Sequence, residues 1–242
     1  MTVSSRDVLA RLDRVVPTSV IKVLEEKSRE TILEGTRSVD PVPARTAASV
    51  VLLRDHHGRL ETYALHRHSR MAFAAGMVVF PGGRLDPVDG VPVGDHDPAD
   101  PALLACAVRE TEEETGVRLA PEQLRPWAHW ITPKIEPRRY DTYFYLAALP
   151  GGQQATDISG ETSTAEWRTP SELLTAADSG EIAMLPPTRS VLIELAGFGS
   201  VPAALAAASG RIIEPVLPEL VNGPDGWRFD YGTAGHDQEQ VP

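Results

Sequence analysis

Hydrophobic and polar positions divide the chain into three stretches. Residues 1–45 hold two helix-period patterns, over 5–16 and 18–33, split by Pro17 and closed by Gly35, Pro41 and Pro43. They predict a helical extension and linker, serving either as a dimerisation arm or as a packed extension. From residue 46 the pattern changes to strands. A continuous apolar run over 47–53 predicts a central strand covered on both faces, His56-His57-Gly58 predicts a turn, and the alternation over 61–67 predicts its hairpin partner. Met77, Val78 and Val79 predict a short buried strand that runs into Phe80-Pro81-Gly82-Gly83, a tight glycine turn.

Residues 101–115 carry the strongest helix signal. Asp100 and Pro101 form a start, Gly116 forms a stop, and Leu104, Val108, Thr111 and Thr115 share an arc suited to docking on a core. Residues 90–100, rich in Pro, Asp and Gly, predict a surface loop; Asp95, His96 and Asp97 read there as polar loop residues rather than a metal cluster. Further strands are expected over 141–149 and 227–229, and helices within 181–208. The stretch around Pro215, Pro218, Pro224 and Gly226 reads as irregular, and residues 231–242 as a disordered tail. The organisation is then an extension over 1–45, a main domain over 46–230, and the tail.

At 42% hydrophobic and 24% charged residues, the chain can build a sizeable core. Its net charge of -11 argues against a nucleic-acid backbone as partner. Neither an apolar run of membrane-spanning length nor a secretory signal is expected. The single cysteine, Cys106, cannot pair internally, which suits a reducing, cytoplasmic setting. It reads as a small helix residue rather than a nucleophile.

Candidate chemistry centres on the expected helix, where Glu110, Glu113 and Glu114 fall within one arc. Each like-charge pair there costs about 0.2–0.5 kcal/mol when exposed. A hard divalent cation, which prefers oxygen ligands, reverses that sign. Arg109, one turn before Glu113, is placed to hold that carboxylate with its forked guanidinium. A salt-bridged surface helix is the bland alternative.

Gly83, Asp89, Arg109, Glu110, Glu113, Glu114, Gly116 and Val117 together resemble the Nudix box. Asp89 stands where that family usually has Glu, Thr111 replaces an apolar residue, and the gap from Asp89 to Arg109 is longer than in the common box. Gly76 and Phe80-Pro81-Gly82-Gly83 also resemble the end of a signature in coenzyme A diphosphatases, although Ala72 takes the place of its inner arginine. The long gap, with Ile131-Thr132-Pro133 and Arg138-Arg139-Tyr140-Asp141-Thr142, is similar to the divergent, peroxisomal-type branch and its bacterial relatives.

The resemblance implies an α/β fold, a Nudix α/β/α sandwich with a mixed β-sheet. It implies hydrolysis of a diphosphate linkage in a small nucleoside diphosphate derivative, with coenzyme A or acyl-coenzyme A ahead of ADP-ribose, NADH and dinucleotide polyphosphates. It also implies Mg²⁺ or Mn²⁺, held by Glu110, Glu113, Glu114 and the Gly82 carbonyl, and a homodimer as one assembly. Glu113, Glu114 and Arg109 are the expected catalytic residues, joined by a later carboxylate: Glu161, or after it Glu166. Arg67, Arg138 and Arg139 are the expected substrate-binding cations. A catalytically silent nucleotide-binding module is the alternative of another class.

Overall fold

The computed structural model describes residues 8–9, 12, 41–68, 74–93, 97–160, 162–223 and 226–232. The two expected N-terminal helices fall outside the described residues apart from residues 8, 9 and 12. Strand β1 (Arg45–His56) and strand β2 (Arg59–Arg67) form the expected hairpin. Its connection is the pair His57 and Gly58, at φ 49° and 73°. Two successive positive φ angles match the twist of the flanking strands.

β1 organises a mixed sheet. On one side it runs parallel to β6 (Tyr140–Ala148), which pairs antiparallel with β5 (Arg125–Ile131), which runs parallel to the short β9 (Pro215–Val216). On the other side β1 has two partners. Its later half pairs with β2, whereas Ala47–Ser49 pair with β4 (Gly82–Arg84). β2 also carries β3 (Met77–Val79) and β7 (Thr162–Arg168), and β8 (Ala183–Met184) lies on β3. The divergence of β2 from β1 opens the place where the glycine turn inserts. A separate antiparallel pair, β10 (Glu219–Gly223) and β11 (Gly226–Asp230), follows.

Helices cover both faces, which is why β1 is apolar at successive positions. Ala48, Val50 and Leu52 of β1 face a core shared with Leu103, Cys106 and Ala107 of α1 (Pro101–Thr115). Val51 and Leu53 face the opposite core, built with α2 (Pro170–Asp178), α3 (Pro186–Leu195) and α4 (Val201–Ala208). The result is the expected α/β/α sandwich. No helix among the described residues is long and apolar enough to cross a membrane.

Three expectations shift. The buried arc of α1 runs through Leu103, Cys106, Ala107 and Thr111, while Leu104 and Val108 sit at its half-buried margin. Small side chains at 106 and 107 let the helix approach the sheet on that line. β5 was not anticipated, because Pro126 and His129 interrupt its apolar alternation. The region after residue 210, read as irregular apart from 227–229, contains β9 and the β10–β11 hairpin.

Candidate active site

α1 is fixed at both ends. Asp100 Oδ1 accepts the Ala102 N–H at 2.9 Å and Asp100 Oδ2 accepts the Val93 N–H at 2.6 Å, so one carboxylate caps the helix and holds the preceding loop. Tyr145 also donates its hydroxyl to Pro98 O at 2.9 Å. At the far end Gly116, at φ 71°, turns its N–H onto Glu112 O. The Thr156 and Ile158 amides donate to Thr115 O and Glu114 O, strapping the loop before β7 to the helix end. The residues at 95 and 96 lie outside the described residues.

Arg109 connects the acidic residues. Its Nε and Nη2 donate to Asp89 Oδ1 and Oδ2, both at 2.8 Å. Its Nη1 donates to Glu110 Oε1 at 2.9 Å and Glu113 Oε2 at 3.0 Å. This forked pairing holds the Asp89 carboxyl below its ordinary pKa and raises that of the guanidinium. Asp89, whose side chain is only 2% exposed, therefore acts as the anchor of Arg109. Burial pushes the Glu110 carboxyl up, opposed by Arg109 and reinforced by Glu113. Burial also pushes the Cys106 thiol up to about 12, which suits a packing residue and not a nucleophile.

The glycine turn meets this network directly. Gly82 N–H donates to Glu114 Oε2 at 2.9 Å, which holds a nearly buried carboxylate in place. A β-carbon on Gly83 would lie 2.3 Å from Glu110 Oε1, so any larger residue would push the Glu110 carboxylate from its place. Ser49 of β1 donates its hydroxyl to Pro81 O and ties the turn to the central strand.

Glu110, Glu113, Glu114, Gly82 and Gly83 line one end of a cleft of about 1020 Å³. Among the described residues, no three His, Cys, Asp or Glu side chains converge into a metal cage. The glutamates instead form an open, all-oxygen wall with unlike exposures: Glu114 is buried, Glu110 half-buried and Glu113 exposed. Such a set fits Mg²⁺ or Mn²⁺, which keep waters and take substrate oxygens, better than a closed zinc site.

Arg67 lines the same cleft as the glutamates. Arg138 is exposed and is not among the lining residues. Arg139 is buried and donates to Thr132 O and Val42 O, so this guanidinium braces the backbone at the start of β6. Glu166 lies on β7, paired with His66 at 2.9 Å and outside the cleft lining; Glu161 lies outside the described residues. Sequence reasoning missed Arg45, Arg84, Trp130, Phe229 and Tyr231, all of which line the cleft. Their only sequence signal was residue type; strand pairing brings them together.

Residues 43–187 match the family model described as the NUDIX domain. The Gallus gallus acyl-coenzyme A diphosphatase NUDT19 is 28% identical over 211 residues, 61% of this chain and 56% of that protein. The putative nudix hydrolase 7 of Caenorhabditis elegans is 27% identical over 213 residues, 73% of this chain and 68% of that protein. The chain thus spans little more than half the length of the first of these relatives. Among solved structures, a NUDIX hydrolase from Alicyclobacillus acidocaldarius superposes with a TM-score of 0.60 and 28% identity, covering 68% of this chain and 96% of that one.

Proposed function

The chain belongs to the NUDIX family, and from that premise we propose that it hydrolyses the diphosphate linkage of nucleoside diphosphate derivatives with a divalent cation. The observation that carries this reading is that Glu110 and Glu113, held from behind by the Asp89–Arg109 pair, and Glu114, fixed by the Gly82 amide, line one end of a cleft large enough for a nucleotide. Coenzyme A or an acyl derivative is the substrate class we favour. The similarity to the chicken diphosphatase supports it, as do the sequence features shared with that branch.

In the reaction, water adds to one phosphorus of the diphosphate and the bridging P–O bond breaks, giving two phosphate products. The difficulty is negative charge on both substrate and leaving group. Glu110, Glu113 and Glu114 would hold a divalent cation, which would neutralise charge on the diphosphate and lower the pKa of water. The chain's own residues set the geometry: Arg109 orients Glu110 and Glu113, Gly82 fixes Glu114, and Arg67 offers donors to phosphate oxygens. Because the residue at 114 needs both its charge and its acceptor, Glu114→Gln separates the two. We expect Glu114→Gln to keep the Gly82 contact and the fold while lowering turnover at least ~100-fold, the scale seen when one electrostatic stabiliser is removed.

The test is phosphate-releasing turnover with Mg²⁺ and with Mn²⁺ on coenzyme A, acyl-coenzyme A, ADP-ribose, NADH and dinucleotide polyphosphates. Metal-dependent cleavage lost in Glu114→Gln supports the hydrolase, and the compound cleaved fastest fixes the substrate class. Equal rates in wild type and variant overturn the assignment of Glu114. Nucleotide binding without turnover on any compound moves the protein to a regulatory, nucleotide-binding role.

A further inference from the structure

The cleft extends well beyond the acidic wall, and its floor can be followed residue by residue. Arg84 on β4 pairs with Ala47 on β1, Ala47 with Thr142 on β6, and Thr142 with Trp130 on β5. All four line the cleft. Paired residues in a row face the same side, so this is a continuous floor across four strands. Three inter-strand spacings separate its ends, or ~14 Å. Arg84 follows Gly83, against which Glu110 lies from the α1 side, and all three line the same cleft; Trp130 marks the opposite, aromatic end.

That end is closed by chain lying past the matched NUDIX region, which stops at residue 187. β9 pairs Val216 with Trp130 and anchors the segment to the sheet. After the β10–β11 hairpin, Tyr231 is buried with its ring edge-on to Trp130, 5.8 Å between centroids. Trp130 and Tyr231 are nearly covered and back the wall. Phe229, on β11 two positions before Tyr231, packs on the same core but stays half-buried and lines the cleft. Tyr140 is half-buried there too, and its strand neighbour Arg45 is exposed.

We propose that Phe229, on the hairpin following the family domain, is a specificity-determining residue whose ring stacks on the nucleobase of the substrate while the diphosphate lies at the glutamates. Flat, rigid aromatic side chains favour a planar π-system over a flexible chain, and stacking tolerates any base. The separation of the two ends suits a molecule with a base at one end, a ribose between and phosphates at the other. The placement of the phosphates rests on the diphosphate-hydrolase reading; the placement of the base rests on the aromatic wall alone.

Calorimetric titration with ADP and with inorganic pyrophosphate, both in Mg²⁺, tests this on the full chain. Pyrophosphate carries the acidic end of the interaction without a base. Phe229→Leu keeps apolar volume against the core and removes the flat face; Phe229→Trp keeps and enlarges it. The expected result is ADP affinity weakened about tenfold in Phe229→Leu and retained in Phe229→Trp, with pyrophosphate affinity within about twofold throughout. Equal loss for both ligands, no loss for either, or no ADP binding by the wild type overturns the proposal. Failure of the hydrolase reading shows separately, as absent turnover despite Phe229-dependent ADP binding.

Discussion

At residue scale, the site depends on the side chain missing from Gly83, as a comparison with Gly58 shows. Nothing lies within 4 Å of a β-carbon built on Gly58, whereas one on Gly83 would enter the Glu110 carboxylate. Gly83→Ala must therefore displace Glu110 and disturb its bond to Arg109. We expect turnover to fall about 10- to 100-fold, as small misplacements of catalytic groups do, with ~1–3 kcal/mol lost from stability. Gly58→Ala, strained only by its φ of 73°, should cost stability on the order of 1 kcal/mol and leave turnover unchanged. Turnover and thermal melting of the two variants check this; equal turnover losses would show that Gly83 has no special place. The acidic positions were legible because residue type and helical spacing encode a carboxylate arc, and the glycine turn beside it was legible through the resemblance to the Nudix box. Arg45, Trp130 and Phe229 were not, since they converge through strand register between positions as far apart as 45 and 229. Arg139 shows the converse: a cation of suitable type whose burial commits it to backbone carbonyls.

At the scale of elements, α2 shows how a helix end is set and how it should respond to pH. Thr169 Oγ1 accepts the Glu172 N–H at 3.2 Å while Glu172 Oε2 accepts the Thr169 N–H at 3.0 Å, and Arg59 of β2 reaches Glu172 Oε1 at 3.2 Å. The Thr169 backbone, its hydroxyl and Arg59 together hold the Glu172 carboxyl below its ordinary pKa. A carboxyl depressed in the folded state stabilises at neutral pH, and that contribution fades as pH falls from the ordinary range of about 4.3 through the lower folded value. The melting temperature of Glu172→Gln should therefore lie below wild type at pH 7 and converge with it in acid. Thr169→Ala, which removes the neutral half of the cap, should cost ~1 kcal/mol at both. A gap for Glu172→Gln that ignores pH would mean that shape, not charge, matters at this position. Such caps are readable from sequence, as the start of α1 at Asp100 and Pro101 was. β5 was hidden because Pro126 and His129 break its alternation; the proline is tolerated where the ladder slips between Pro126 and Ala128.

At the scale of the whole molecule, the open question is what the residues before β1 do. Periodicity left two roles, a dimerisation arm or a packed extension, because an amphipathic helix looks alike whichever apolar surface covers it. Val8 and Leu12 are both buried within a single chain, at 0% and 4% exposure, and Leu12 belongs to the core formed with Leu53, Leu60, Trp127 and the helices α2 to α4. That places at least this part of the segment among the groups that stabilise the sandwich. Leu12→Ala should then cost ~2–5 kcal/mol, the range for truncating a buried leucine, or several degrees in Tm for a chain of this size. The mass in solution should be the same as wild type, since the contact lies within one molecule. Light scattering and thermal melting on the same samples separate the roles. A lower Tm at constant mass identifies a packed extension, whereas a dimer that dissociates at an unchanged Tm would make the segment an intermolecular arm. Because the leucine joins the core on the face away from α1, the loss should also leave the glutamate wall intact, with turnover below the melting transition close to wild type.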